Sequence, residues 1–241
     1  MILIDSELEN LIKLIDKTKL PNHIAFIMDG NRRWAKIRNL PSYVGHQKGF
    51  SVFKNIIDLS KYLGIKELSF FAFSKENWAR NQQEVEFIFN LMKYLIKREL
   101  SRLEEDKVFV KFIGDKSNIS NDTIELFELM ENKTSKDYVL KVNVMVNYSG
   151  KYDIEQAIKR IINNKIDSKD INSELIKSYL LVGEPDLLIR TGNEYRISNF
   201  LLYQLAYTEL YFSPKLWPDF TLSDYIQAIL DYQKRERRLG K

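Results

Sequence analysis

His23-Ile24-Ala25-Phe26-Ile27-Met28-Asp29-Gly30-Asn31-Arg32-Arg33-Trp34 is the stretch on which the fold turns. Its apolar run, Ile24 to Met28, is short, with Pro21-Asn22 before it and Asp29-Gly30-Asn31 after it. That pattern predicts a buried strand ending in a tight turn, with a helix opening near Trp34. In an open α/β sheet, ligands bind outside the carboxyl ends of the strands, where this turn lies. One carboxylate beside two guanidinium groups suits a metal-bound phosphate: the acid takes a hard cation, and the arginines take phosphate oxygens in pairs. A polar turn capped by Asp29 explains the same twelve residues equally well.

Outward from this stretch, strands and helices alternate. Ser6 and Glu9 form a capping-box pattern ahead of a helix with Leu8, Leu11, Ile12 and Ile15 on one face. After Gly45-His46-Gln47-Lys48-Gly49 comes a helix with Phe53, Ile56, Ile57 and Leu59 on its apolar side and Gly64 as its stop. Leu68 to Phe73 reads as a strand running into the polar loop Ser74 to Arg80, and Glu84 to Glu105 as a long helix. Further strands are expected at Val108–Ile113, Val139–Val146, Asp186–Ile189 and Leu210–Phe212. Helices are expected at Ile119–Met130, after Lys151, from Ser173, over the apolar run Phe200 to Ala206, and from Ser223. This alternation without hairpin signals predicts an α/β fold with a mostly parallel sheet covered on both faces. No repeat or linker divides the chain, so residues 1–241 are expected to form a single domain.

The 241 residues carry 37 Lys plus Arg against 33 Asp plus Glu, a net charge of only +4. Nucleic acid is therefore not an expected partner, and any anion binding must come from local clustering. With no cysteine, disulfides, thiolate catalysis and Cys-ligated zinc are excluded. The two histidines lie far apart in sequence, against a His-rich metal site. Acidic residues interrupt the apolar ones in Met1 to Leu20, unlike a signal peptide, and no run reaches the length of a membrane span. A soluble, cytoplasmic protein is expected.

Four polar clusters fall at the ends of expected strands: Asp29–Trp34, Ser74–Arg80, Asn147–Lys151 and Arg190–Ser198. In a parallel sheet all four project to one edge, bringing Arg32, Arg33, Arg80, Arg190 and Arg196 together. That edge calls for an anionic ligand with more than one phosphate. Arg190 and Arg196 with Ser198 suit a diphosphate; ion pairing with Glu194 is the plainer alternative. His46 suits phosphate binding or helix capping, and Trp78 and Tyr195 suit either core or pocket wall. The basic run Lys234 to Arg238 reads as a solvated helix end. Neither nucleotide-binding glycine pattern occurs.

Taken together the clusters resemble the cis-prenyltransferases, and within them the bacterial undecaprenyl diphosphate synthases. The matching stretches are His23–Ala35, Gly45-His46, Phe71–Arg80, Asn147-Tyr148, Asp186–Thr191, Glu194–Leu202, Gln204–Leu210 and Trp217–Phe220. The resemblance implies a central six-stranded, largely parallel sheet surrounded by helices, in a homodimer. It implies stepwise cis-condensation of isopentenyl diphosphate onto an allylic diphosphate, typically farnesyl diphosphate, with magnesium. The product implied is a long polyprenyl diphosphate, the undecaprenyl carrier precursor for cell-wall synthesis, or a shorter chain. The Asp-Asp-x-x-Asp motif of the trans-product enzymes is absent.

By position, the resemblance implies that Gly30, Asn31, Arg32 and Arg33 hold the allylic diphosphate, assisted by His46. It assigns Arg190, Arg196 and Ser198 to isopentenyl diphosphate, with Ile197 beside them. Asp29 and Glu209 are implied to place magnesium, Glu209 from its own or a neighbouring subunit. Asn77, near Ser74, is the implied helper in proton removal, although a neutral amide is a poor base and released diphosphate is the alternative acceptor. Trp34, Trp78 and Arg80, with Lys75 and Glu76, are implied to shape a loop over the substrates. An apolar tunnel is implied for the product, with Phe71, Ala72, Val144, Phe89 and Met92 as candidate walls.

Three positions depart from the family pattern. Ser42 replaces an arginine, leaving its phosphate contact absent or supplied by Arg38 or Lys48. Ser149-Gly150-Lys151 replaces Gly-Gly-Arg. Val146 replaces a smaller residue, a change expected to narrow the tunnel. Rival readings are a non-catalytic partner subunit, a module binding anionic membrane surfaces, and a phosphohydrolase, which Asn31 disfavours. Contact with a membrane surface for product release is also expected of the elongating enzyme.

Overall fold

The computed structural model describes residues 5–236, so Arg237 and Arg238 of the basic run lie outside the described residues. Six strands form one sheet: β1 (His23–Ile27), β2 (Glu67–Ser74), β3 (Val108–Ile113), β4 (Leu140–Tyr148), β5 (Leu187–Arg190) and β6 (Glu209–Phe212). Their order is β3-β4-β2-β1-β5-β6, and every neighbouring pair is parallel. The expected mostly parallel sheet is thus parallel throughout.

Strand β1 is buried along its whole length, and its side chains divide by the two-residue period of a strand. Ile24 and Phe26 join the larger core, whereas Ala25 and Ile27 join the smaller core on the other face. A continuous apolar run is what a strand covered on both faces requires. Against the larger core pack α1 (Ser6–Lys13), α3 (Ser42–Leu63), α4 (Gln82–Glu105), α5 (Asn121–Thr134) and α8 (Leu222–Lys234). Helix α6 (Gly150–Asn163) attaches to the smaller-core face, where its buried Asp153 accepts hydrogen bonds from Tyr148 and Gln204. The short helices α2 (Asn31–Ile37) and α7 (Ser173–Tyr179) follow β1 and precede β5.

The expected elements appear, with several differences. Asp5, not Ser6, caps α1 by accepting from the Leu8 N–H at 2.8 Å. Helix α2 starts three residues earlier than Trp34, because Gly30 at φ +118° turns the chain directly into it. Gly64, at φ +88°, ends α3 as expected. The Phe200 to Ala206 run is a correction: it is a series of turns, not a helix. Ser198, Asn199 and Leu201 all adopt positive φ there, which breaks the helical path. Gly150 N–H donates to the Asn199 carbonyl at 2.6 Å, anchoring this irregular segment to the end of β4.

Candidate active site

The chain leaves β1 and enters α2 through Asp29-Gly30, and this turn is clamped by distant segments. The Asp29 carbonyl accepts from the Thr191 hydroxyl at 2.8 Å and from the Trp217 N–H at 2.9 Å. A side chain on Gly30 would stand 2.9 Å from Leu216, so both its φ and its surroundings call for glycine. The Asp29 carboxylate therefore points from a fixed backbone over the ends of β1 and β5.

Asp29 sits between two guanidinium groups. Arg190, at the end of β5, donates from Nη2 to Asp29 Oδ2 at 2.9 Å, and Arg33 approaches Oδ1 at 3.1 Å. Arg190 is 3% exposed; Nη1 also donates to Ser198 Oγ at 2.9 Å and to the Arg196 carbonyl. Its buried Nε has no partner. The pairing with Glu194 weighed from sequence is also present: Glu194 joins Arg196 and Arg33.

A second acid organises the other side. Glu84, in the first turn of α4, lies 3.2 Å from Arg80, 3.4 Å from Arg32 and 3.6 Å from His46 Nε2. The last distance is too long for a hydrogen bond, and His46 Nε2 is a buried atom without a partner. Burial outweighs the nearby carboxylate and holds the His46 pKa below its usual value, so the ring is neutral near pH 7. Asn31 Oδ1 is likewise buried and unpartnered. These orphaned atoms are what a site built for a polar ligand leaves exposed to it.

One large cavity is lined by Asp29, Gly30, Asn31, Arg32, Arg33, His46, Ser74, Glu76, Asn77, Arg80, Arg190, Arg196 and Ser198. All five arginines expected at one sheet edge reach it, joined by Lys36, against the two acids Asp29 and Glu76. Such an excess of cation in one cleft favours a ligand with several negative charges. Asn77 Oδ1 accepts from the Ser74 N–H at 3.2 Å, fixing the carboxamide at the cavity wall.

Other expected site residues lie elsewhere. Trp34 donates to Asp219 at 2.6 Å, with Arg38 stacked 4.3 Å from its ring and itself paired with Asp219. Arg38 is thereby engaged away from the position of Ser42, and neither it nor Lys48 lines the cavity; Lys36 does. Lys75 pairs with Asp115 at 2.6 Å and covers Tyr152. Trp78 donates to Asn147 at 2.8 Å and stacks on Phe89, anchoring the 3₁₀ turn Lys75–Ala79 to the core. Ile197 packs into the smaller core. Glu209 begins β6, beside Leu187 at the start of β5, whereas Asp29 follows the opposite end of the parallel β1. Within one chain Glu209 does not meet Asp29; it pairs with Arg235 at 2.9 Å.

Glu84 and Lys36 were missed from sequence. Glu84 had a signal, standing four residues after Arg80 at helical spacing; its hold on Arg32 and His46 had none.

A second, apolar cavity opens from the first, sharing Met28, Asn31, His46, Ala72 and Ile88 with it. It runs between α3 and α4 beneath the sheet face. Of the expected tunnel walls, Ala72, Val144 and Met92 line it. Phe71 faces the polar cavity instead, and Phe89 packs on Trp78 and Phe73. Val146 is buried in the core without lining the apolar cavity, so its bulk does not narrow it.

The donor set suits a magnesium ion. Among the described residues no group of three metal-ligating side chains occurs, and the carboxylates that line the cavity are Asp29, beside Arg33 and Arg190, and Glu76. Magnesium binds through one or two carboxylates, substrate phosphates and retained waters, which a single acid beside a phosphate site can satisfy.

A profile of the undecaprenyl diphosphate synthase family matches residues 27–240. An isoprenyl transferase of Prochlorococcus marinus is 46% identical over 238 residues, 96% of this chain and 88% of the relative. The ditrans,polycis-undecaprenyl-diphosphate synthase ((2E,6E)-farnesyl-diphosphate specific) of Haemophilus influenzae is 40% identical, covering 94% of this chain and 98% of its own. The crystal structure of lavandulyl diphosphate synthase from Lavandula x intermedia, in complex with dimethylallyl diphosphate, superposes with a TM-score of 0.89. It is 33% identical and covers 94% of this chain and all of the other.

Proposed function

The chain belongs to the undecaprenyl diphosphate synthase family and is a prenyltransferase, and from that premise we propose that it lengthens an allylic diphosphate, farnesyl diphosphate by preference, with successive isopentenyl diphosphates in cis geometry. The product is undecaprenyl diphosphate, the carrier precursor for cell-wall synthesis. The carrying observation is the joining of two cavities, a cationic one for diphosphates and an apolar one for a hydrocarbon, through shared walls at Asn31 and His46.

Gly30, Asn31, Arg32, Arg33 and His46 hold the allylic diphosphate where the two cavities meet, so that its tail enters the apolar one. Arg190, Arg196 and Ser198 hold isopentenyl diphosphate. The allylic C–O bond breaks as the isopentenyl double bond forms the new C–C bond, and charge builds on the departing diphosphate. Guanidinium groups already held by Asp29 and Glu84 stabilise that charge without reorganising. Asp29 would hold magnesium, which when bound would neutralise further charge on phosphate oxygens. The proton released after C–C bond formation goes to the departed diphosphate, with Asn77 orienting the reactants; its carboxamide is no base. Trp78 and Arg80 secure the 3₁₀ turn at the cavity wall and help exclude water from the allylic cation.

No helix among the described residues is long and apolar enough to cross a membrane. We place the enzyme in the cytoplasm, touching the membrane surface when product leaves, and as a homodimer. Ile158 and Ile162, one turn apart on α6, and Leu210 on the edge strand β6 are exposed apolar side chains in keeping with a partner.

The test is incubation with labelled isopentenyl diphosphate, farnesyl diphosphate and magnesium, followed by chain-length analysis, with Asp29→Ala alongside. A polyprenyl product that disappears in the variant is expected. Folded protein that elongates no allylic starter would refute the reading.

A further inference from the structure

Between Asp29 and Asp58 the chain carries Arg32, Arg33, Lys36, Arg38, Lys48 and Lys54 and no acidic residue. In a protein whose net charge is only +4, that is a strongly basic stretch. It builds α2, the turn at 38–41 and most of α3. Acids from elsewhere answer most of these cations: Glu84 answers Arg32, Asp29 and Glu194 answer Arg33, Asp219 answers Arg38, and Glu99 answers Lys54. Lys36 and Lys48 are exposed and have no acidic partner among the described residues.

The same corner shows large apolar side chains to solvent. Ile37 is 71% exposed, Leu40 40% and Tyr43 44%. The Tyr43 ring lies 5.6 Å from that of Phe87, which sets the phenol at the seam between α3 and α4. The corner is held in shape: Asn39 reverses the chain at φ +53°, and the Leu40 N–H donates to the Ala35 carbonyl at 2.9 Å. Arg38, between the two aliphatic residues, is turned onto Trp34 and Asp219. Lys36, Asn39, Leu40 and Ser42 belong to the rim of the cationic cavity. Exposed aliphatics on other faces sit beside paired charges instead. Leu14 follows Lys13, which is paired with Glu9, and Ile158 precedes Lys159, which is paired with Glu155.

We propose that this corner, α2 with the turn at 38–41 and the start of α3, is the surface by which the protein docks on an anionic lipid bilayer. Ile37 and Leu40 enter the interface, Tyr43 sits at headgroup level, and Lys36 and Lys48 meet headgroup phosphates. Basic and apolar side chains on one short surface are what such a bilayer attracts, because charge draws the surface in and buried apolar area keeps it there. Lys48 lies about 9 Å along α3 from Ser42, within a Debye length of the inserted turn. The purpose of the docking, though not the docking itself, rests on the chain-elongation reading. With the cavity rim at headgroup level, a diphosphate leaves among polar groups while its hydrocarbon passes into the bilayer without crossing water, which penalises every exposed methylene.

The test measures binding of the full chain, without substrates, to sedimented vesicles of phosphatidylcholine alone and of phosphatidylcholine mixed equally with phosphatidylglycerol. Wild type is expected to bind the anionic vesicles about tenfold tighter or more, and less tightly as salt is added. Lys48→Gln should weaken that binding about fivefold and Ile37→Ser about tenfold. Leu14→Ser, at a comparably exposed aliphatic on another face, should leave it unchanged. Should Ile37→Ser fail to fold, Lys48→Gln decides alone. Equal or absent binding to the two vesicle types by wild type overturns the proposal, as does a loss in Leu14→Ser that matches the loss in Ile37→Ser. Ile37→Ser that changes the mass in solution yet binds vesicles as wild type does would make the corner a contact between copies of the chain, and also overturns it. Elongation of soluble substrates without vesicles should be the same in Lys48→Gln and Ile37→Ser as in wild type. Its absence from wild type would sink the enzymatic reading while the vesicle measurements still judge the surface.

Discussion

Removing the Asp29 carboxylate should do two opposite things, one to stability and one to anion binding. In Asp29→Ala, Arg190 loses its 2.9 Å acceptor while remaining 3% exposed, with its Nε already unpartnered. Removing one partner of a buried pair costs 3–5 kcal/mol; because the Asp29 side chain is 28% exposed, about 3 kcal/mol is the larger share expected here. The half-exposed Arg33 pair adds less than about 1 kcal/mol. For a chain of this size each kcal/mol moves the melting temperature by about 2–4 °C, so a fall of about 6–12 °C is expected. Arg190 then lacks a counter-charge and Arg33 keeps only Glu194, and inorganic diphosphate without magnesium should supply the missing charge. If diphosphate binds about tenfold tighter to the variant, it contributes roughly 1.4 kcal/mol more stabilisation at saturating ligand. Thermal melting with and without diphosphate, in chelator, reads both effects. Unchanged melting, or diphosphate stabilising wild type more than the variant, would show that Asp29 does not hold these arginines apart.

Three further outcomes follow from the geometry. Gly49→Ala places a Cβ against Asn31 Oδ1 and 2.8 Å from Trp217 Cδ1; steady-state kinetics should show kcat/KM for the allylic substrate falling tenfold or more, a loss of about 1.4 kcal/mol. Trp78→Phe keeps the stacking on Phe89 but strips Asn147 Oδ1 of its donor, costing about 1–2 kcal/mol in denaturant unfolding. His23 and His46 both have pKa values lowered from 6.5, chiefly by burial. The unfolded chain therefore takes up protons first, and their contribution to stability, complete above pH 6.5, is lost as pH falls through the lowered folded values. The slope is at most about 1.4 kcal/mol per pH unit for each ring. His23→Gln should remove about half of it between pH 6.5 and 5.

The parallel sheet and its polar edge were legible because both rest on local pattern. Ile24 to Met28 reads as a strand by length and flanking turn residues, and four polar clusters following four strands must gather at one edge once those strands run parallel. Gly30 and Gly64 stand where the chain needs positive φ, and they mark a helix start and a helix stop. What was misjudged turns on contacts distant in sequence. The apolar run at Phe200–Ala206 has helical composition, yet positive φ at Ser198, Asn199 and Leu201 and the tie from Gly150 to Asn199 hold it as turns. Trp34 sits inside the leading motif, and which partner its indole takes, Asp219 at 185 positions' remove, could not be read from it.

Sequence alone therefore determined the α/β class, the edge that carries the chemistry and the cationic character of the site, since these follow from residue type and periodicity. Only the tertiary structure decided which acid holds which arginine, that Glu209 faces the opposite end of the sheet from Asp29, and that the apolar cavity opens from the cationic one at Asn31 and His46. Each of those depends on how α3, α4 and the strand ends approach across many residues of chain, and no local pattern encodes such distances.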